Sequence, residues 1–459
     1  MSTVMESKHS VLILMTATAL LTPVMSSSIN IALPTIGDDF KLSAVTLSWV
    51  ASSYLLSTAV FLLPFGRAAD LYGRRRVFLC GMWTFTFASL LCAFAGSGMW
   101  LLVYRVLQGI GSAMMFGTST AILTAAFPPG ERGRALGINV AAVYAGLSAG
   151  PFIGGFLTQH LGWQSIFLIH VPVGLAIILL THRTLAKDPP ERKPGSFDLQ
   201  GAFLYAVVLL SIMFGITLLP HIPGGSLIVV GVLGTGVFIW WELQVETPLL
   251  DVSLFRTNRV FAFSNLAALL NYSATAAIAF LMSLYLQIVK GLTPEQAGLI
   301  LVAQPVVQTA LSPFAGSLSD RREPQVVASL GMGLTAVGLG GFSFLSPSSS
   351  YAFIVAILAL LGSGFALFSS PNTNAIMSSV ERTAYGVASS AVATMRLVGQ
   401  MLSMGFVTLI FSLVIGQIRL TPSMQPELLS SVRIAFALFS VLCLTGVFAS
   451  LARGRMREA

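Results

Sequence analysis

Gly66-Arg67-Ala68-Ala69-Asp70-Leu71-Tyr72-Gly73-Arg74-Arg75-Arg76 joins two long apolar runs, one near 47–66 and the next near 77–96. Each run has roughly the 20 apolar residues that one bilayer crossing needs, so the segment reads as the turn of a membrane hairpin. Its residue types say more. Gly66 permits close helix approach, Asp70 can end a helix and pair with the arginines, and Gly73 allows a tight turn. A merely basic loop explains the arginines but not the spacing of the glycines and the aspartate.

The rest of the 459 residues has the same character. Residues of the AVILMFWYC set make up 55% and charged residues 9%, against roughly 25% charge in a soluble domain, which excludes a soluble globular chain. Cys80, Cys92 and Cys443 lie in apolar runs without ligand-like neighbours, so no disulfide framework, metal site or cofactor is expected. The net charge of +8 falls in short clusters between apolar runs, which fits cytoplasmic loops and not a nucleic-acid face. No cleavable leader is evident, because the first apolar run is too long and lacks a small-residue cleavage pattern.

A window of about 19 residues yields fourteen candidate crossings. They lie near 11–33, 47–66, 77–96, 100–124, 136–158, 165–182, 201–219, 225–241, 260–287, 296–318, 326–346, 352–377, 386–413 and 432–452. With the N-terminus placed inside, 19 of the 25 Lys and Arg residues fall in cytoplasmic loops. Lys41, Lys290, Arg419 and Arg433 fall outside, and Arg105 and Arg396 fall within crossings. That asymmetry fits an even number of crossings with both termini cytoplasmic. The most polar stretch, 183–200, reads as a linker. Beyond it, Gly66 and Asp70 find an echo in Gly316 and Asp320, both 250 residues on. The expected organisation is a six-helix bundle over 1–182, a linker with two extra helices over 183–259, and a second six-helix bundle over 260–459.

The segment from Gly66 to Arg76 resembles the cytoplasmic signature of the major facilitator superfamily. Arg105-Val106-Leu107-Gln108-Gly109-Ile110-Gly111 resembles its intramembrane arginine motif, and Gly146 with Gly150-Pro151-Phe152-Ile153-Gly154-Gly155 resembles its antiporter motif. The stretch from Trp163 to Gly174, the run Tyr285-Leu286-Gln287 and the fourteen crossings resemble the fourteen-span drug:proton antiporter family in particular. The resemblance implies an all-α polytopic membrane protein of the major facilitator fold, with 14 transmembrane helices arranged 6 + 2 + 6. It also implies residence in a bacterial cytoplasmic membrane and proton-coupled export of a drug, toxin or metabolite by alternating access. Gly66, Asp70, Gly73, Arg74 and Arg75 would gate the cytoplasmic side. The span 5 glycines and Pro151 would form a moving seam, since such residues let two helices meet closely and bend.

One position departs from the family pattern. In Met25-Ser26-Ser27-Ser28-Ile29-Asn30, Met25 stands where the family usually has an aspartate. By helix rise, Met25 lies about 12 Å and Arg105 about 9 Å below the outer surface. The level that holds an acid and an arginine in the family thus holds a lone arginine here. None of the 17 acids falls mid-crossing; Glu242 comes nearest, at the cytoplasmic end of span 8, where interfacial anchoring is expected.

An unpaired guanidinium in a bilayer costs at least about 2.5 to 3.5 kcal/mol. Arg105 and Arg396 should therefore each meet a hydrated cavity, helix carbonyls or a bound anion, and Arg105 is expected to line the cavity. The substrate is then expected to be anionic, zwitterionic or neutral, not cationic. His170 is the remaining titratable group at membrane depth; an imidazole can carry a proton, although a lone helix histidine more often bonds within the core. Asn30, Tyr54, Gln108 and Gln287 are further candidates for substrate contact or coupling. The expected partners are a small-molecule substrate, a proton and the lipid bilayer, with a monomer as the working unit. A facilitator or importer of an anionic metabolite and a lipid translocase are alternatives of the same fold. An enzyme is not expected, since no nucleophile–base or paired-acid constellation falls within the crossings.

Overall fold

The computed structural model describes residues 8–128, 131–185, 197–381, 385–418 and 424–454. Of the charges sorted above, Lys187, Arg192, Lys193, Arg382, Arg419, Arg455 and Arg457 lie outside the described residues. Among the described residues, 14 helices are long and apolar enough to cross a membrane. Spans 1 to 6 are Lys8–Asp39, Ala44–Tyr72, Arg74–Ala93, Gly98–Ala126, Arg134–Leu161 and Gln164–Thr184. Spans 7 and 8 are Leu199–Leu218 and Ile222–Glu242. Spans 9 to 14 are Arg259–Val289, Pro294–Ser319, Pro324–Phe342, Tyr351–Ser378, Tyr385–Val414 and Gln425–Ala452. Several run past their apolar windows because polar residues such as Lys8, Asp38, Arg67 and Asp70 continue the helix where the hydrocarbon ends.

The first turn of a helix leaves N–H groups without an intrahelical partner, and side chains close several of them. Ser43 accepts from the Thr46 N–H at 3.2 Å and Asn258 from that of Phe261 at 2.9 Å, while Thr293 and Gln296 cap each other reciprocally.

Spans 1–6 and 9–14 repeat one contact pattern. Span 1 lies against span 5, and spans 2 and 3 against span 4; in the same way span 9 lies against span 13, and spans 10 and 11 against span 12. Lipid tails are as apolar as leucine, so close backbone approach at small residues holds such helices together. A close glycine contact recurs between equivalent pairs, span 3 with span 4 and span 11 with span 12. A Cβ on Gly111 would come 2.8 Å from the Gly81 carbonyl, and one on Gly331 would come 2.6 Å from the Gly364 carbonyl. Spans 7 and 8 form a hairpin that rests through span 7 on spans 2 and 13. Tyr205, Leu209, Met213 and Phe238 of that hairpin share an apolar cluster with Leu56, Leu63, Leu397 and Met401.

The cytoplasmic ends of spans 9, 11, 12 and 14 meet at one guanidinium. Arg453, just beyond span 14, is 1% exposed. Its Nη1 donates to Ser264 Oγ at 3.1 Å and Asn372 Oδ1 at 3.0 Å, and its Nη2 to the Pro324 carbonyl at 3.0 Å. Burial pushes the group down to about 10, with the Glu323 carboxylate pulling the other way, so it is charged at neutral pH. Arg453→Ala leaves three acceptors unanswered and should cost about 3 kcal/mol. The readout is a lower unfolding temperature in detergent, of which Arg453→Lys restores only part because an ammonium cannot fork between acceptors.

Candidate functional site

Gly73 sits at φ 105°, joining spans 2 and 3 through a backbone shape that a side chain would strain. Asp70 Oδ1 accepts from Arg74 Nε at 3.2 Å and Nη2 at 3.0 Å. Both side chains are more than a third exposed, at 38% and 37%, so the pair is worth about 0–1 kcal/mol and can be exchanged cheaply. Gly66 lies close to span 4, although the contact is one-sided. Its own missing side chain opens onto free space, and it is a Cβ on Gly117 of span 4 that would meet Gly66 Cα, at 3.2 Å.

Arg105 is also placed differently. It was expected to line a hydrated cavity, yet it is 1% exposed and walled in by spans 2 and 4. Its Nε donates to the Val50 carbonyl at 3.0 Å and its Nη1 to Gln108 Oε1 at 2.5 Å, and its guanidinium carbon lies 4.4 Å from the Tyr54 ring centroid. Gln108 Nε2 donates onward to Ser89 Oγ at 2.8 Å, and the Tyr54 and Ser112 hydroxyls bond at 2.7 Å. Among the described residues no carboxylate pairs with Arg105, so a carbonyl dipole, an amide and a π face balance its charge. The motif is a polar knot that ties spans 2, 3 and 4. His170 is similarly enclosed, at 2% exposure, with Nδ1 2.7 Å from the Ile166 carbonyl and Nε2 3.3 Å from the Leu21 carbonyl of span 1. Met25 is fully buried.

Span 5 carries its small residues on two faces. Gly146, Gly150 and Gly154, one every four residues, face span 1. Cβ atoms there would lie 2.7 Å from the Leu20 carbonyl, 2.8 Å from Ser27 Cβ and 2.6 Å from Ser28 Cα. Pro151 and Gly155 face span 10 instead. A Cβ on Gly155 would come 2.6 Å from the Pro294 carbonyl, and one on Gly298 would come 2.3 Å from the Pro151 carbonyl. This second contact joins spans 1–6 to spans 9–14 toward the outer surface.

More bonds close the same side. His160 Nε2 lies 3.2 Å from Glu295 Oε2, and the Ser48 and Thr408 hydroxyls are 2.8 Å apart. Gln287 stands in a π-helical turn, Tyr285–Val289, at the end of span 9. From there Nε2 donates to the Ile31 carbonyl at 2.9 Å, so Gln287 bridges the seam, while Asn30 beside it is partly exposed.

Deeper in the seam the Tyr144 and Ser369 hydroxyls bond at 2.9 Å, and those of Ser148 and Thr309 at 3.2 Å. Arg396 is only partly buried there, 6.0 Å from the Phe116 ring and within electrostatic reach of Tyr144, which also senses Tyr272. Tyr272 in turn meets Phe365 edge-on at 5.6 Å. Spans 4, 5, 9, 12 and 13 thus bring a guanidinium together with aromatic rings and hydroxyls midway across the molecule. Tyr144 and Phe116 were not singled out from the sequence. Tyr144 stands two residues before Gly146, a usable signal, whereas a phenylalanine in an apolar run looks like any packing residue.

Two comparisons separate the structural arginine from the accessible one. Arg105→Ala should lower the unfolding temperature, since burying the unanswered Val50 carbonyl and Gln108 amide costs about 1–3 kcal/mol each; Arg396→Ala should leave it within a degree or two. At the seam, Gly298→Leu places a side chain against the Pro151 carbonyl. It should hold the outer side open, read as faster labelling of a cysteine at Ser148 by an external, membrane-impermeant thiol reagent.

The family model described as Major Facilitator Superfamily matches residues 15–404 and 265–457. A riboflavin transporter of Clostridioides difficile is 31% identical over 395 residues, covering 85% of this chain and 86% of that protein. A tetracenomycin C resistance and export protein of Streptomyces glaucescens is 33% identical over 368 residues, covering 79% and 68%. A multidrug resistance protein of Mycobacterium tuberculosis is 34% identical over 388 residues, covering 83% and 71%. The fold matches a crystal structure of a bacterial homologue of the human lysosomal transporter Spinster with a TM-score of 0.68 at 18% identity, over 97% of both chains. Fourteen membrane-length helices, a repeated packing pattern and these matches lead to one conclusion: the chain belongs to the major facilitator superfamily, as a multi-pass transporter of small molecules.

Proposed function

We propose that the protein exports a small organic molecule, anionic, zwitterionic or neutral, by rocking spans 1–6 against spans 9–14, in exchange for a proton. The observation that carries this reading is Arg396, a partly open guanidinium in the seam beside Phe116 and Tyr144. Among the described residues the carboxylates stand at or beyond span ends, so the seam offers a cation and π faces but no acid to a bound molecule. That lining favours a flat, polar or anionic substrate and disfavours a lipophilic cation. The resemblance to named drug-export proteins supports the outward direction.

For the proton, His170 is the residue this reading assigns. A neutral imidazole has one N–H to give, and here both ring nitrogens lie against carbonyl oxygens. The doubly protonated ring answers both carbonyls, at the cost of carrying its charge in an enclosed place. Asp70 and Arg74 serve as the exchangeable cytoplasmic latch. A second reading is a facilitator that carries a metabolite without an ion; the likeness to a protein named as a riboflavin transporter supports the metabolite part of it.

Proteoliposomes decide between them. With matched anionic, zwitterionic and cationic aromatic compounds, an imposed pH gradient should drive flux of the first two, and Arg396→Ala should reduce it at least tenfold. His170→Gln should remove the response to the gradient while leaving exchange at equal pH. Flux indifferent to the gradient in the unmodified protein would establish the facilitator instead.

A further inference from the structure

The hairpin of spans 7 and 8 holds a pair of buried carboxyls that the transport reading does not use. Asp198 caps span 7 and Glu242 ends span 8, and they are 7% and 3% exposed. The two helices differ by one residue in length, 20 against 21, so their cytoplasmic ends come level and both side chains turn toward Gly201. A Cβ on Gly201 would lie 2.2 Å from Asp198 Oδ2 and 2.7 Å from Glu242 Oε1. A side chain at Gly201 would collide with both oxygens, so the glycine leaves room for the two carboxyls on one side of span 7. Glu242 was expected at the interface as an anchor; it is enclosed instead.

The hydrogen bonds around the pair are unequal. Asp198 Oδ1 accepts from the Gly201 N–H at 2.8 Å, and Trp241 Nε1 lies 3.2 Å from Oδ1 and 3.1 Å from Oδ2. Glu242 Oε2 accepts from the Leu250 N–H at 2.9 Å, but Glu242 Oε1 is buried without a partner. Asp198 is the charged group acting on Glu242. Glu246, Asp251 and Arg256, in the segment that follows, are bonded to neither carboxyl, and no described Lys, Arg or His forms an ion pair with either. Two adjacent carboxylates in so enclosed a place repel, and an orphaned carboxylate oxygen there is costly. One proton resolves both problems.

We infer that Asp198 and Glu242 form a proton-binding site in which Glu242 carries the proton on Oε1 and donates it to ionised Asp198. The shared proton fastens the cytoplasmic ends of spans 7 and 8. It also keeps Glu242 Oε2 on the turn at Leu250, a residue that packs between the cluster under the hairpin and the one formed by Phe261, Ile376 and Ala388. Loss of the proton sets two negative charges against each other at that junction. The site is independent of the direction and substrate of transport.

The test is carbodiimide labelling of the full chain in lipid nanodiscs. Dicyclohexylcarbodiimide captures protonated carboxyls in apolar surroundings, and peptide mass spectrometry locates the adduct. At pH 7 Glu242 should be labelled while exposed Glu246 and half-buried Asp251 are not, and its labelling should fall along a single titration as pH rises. Asp198→Asn removes the like charge and should cut Glu242 labelling at pH 7 about tenfold, the equivalent of one pH unit. Absence of Glu242 labelling from pH 5 to 8 in the unmodified protein would overturn the site, whatever the variant does. Labelling of Glu242 unchanged in a monodisperse Asp198→Asn protein would equally overturn it, because the proton would then not belong to the pair.

Discussion

A positive charge sealed inside a membrane protein has to be answered by the protein itself, and the Arg105 knot shows what that requirement does to the fold. With Met25 where the family usually has an acid, the guanidinium takes a carbonyl from span 2, an amide from its own helix and the face of Tyr54. Each of these partners fixes a helix. Gln108 extends the tie to span 3 through Ser89, so one side chain sets how three spans lie together. The rest of the first bundle packs around that wedge, with span 5 held to span 1 by its glycines and by bonds from Ser28 to the Gly150 carbonyl and from Asn139 to the Met15 carbonyl.

The second constraint is the need for close backbone approach. Where lipid competes equally for apolar surface, helices gain by touching at glycine, and the chain uses this at two kinds of place. Gly81 with Gly111 and Gly331 with Gly364 hold neighbouring helices within each set of six. Gly155 and Gly298 hold helices of opposite sets, close to the outer surface. The first kind has side-chain knots beside it; the second is reinforced mainly by single hydroxyl, amide and imidazole bonds that can be broken one at a time.

The architecture was legible in the sequence because apolar length, loop charge and a fixed repeat offset are one-dimensional signals. Span number, the turn at Gly73 and the four-residue glycine stripe of span 5 all follow from spacing. What sequence could not give was azimuth. Depth along a helix placed Arg105 at a functional level, but only packing decides whether a side chain at that level meets a vestibule or a neighbouring helix, and helices apolar all round carry no periodicity to tell. The same blindness hid Tyr144 and Phe116. Asp198 and Glu242 were within reach, since two helices of nearly equal length joined by a short turn must bring their far ends together, yet a search for paired acids confined to mid-span overlooks helix ends.

The π-helical turn at Tyr285–Val289 has a consequence for how this protein tolerates change. Its backbone bonds skip one position further than in an α-helix, as in the Lys290 N–H to the Tyr285 carbonyl at 3.0 Å. One surplus residue is therefore wound into the end of span 9, and deleting it would restore ordinary winding and re-aim the side chains inside the turn, Gln287 among them. Gln287 would then point away from Ile31 with its chemistry untouched. The outer lock is thus written in residue count as much as in residue type, and an insertion or deletion in these five positions would do what no conservative substitution can.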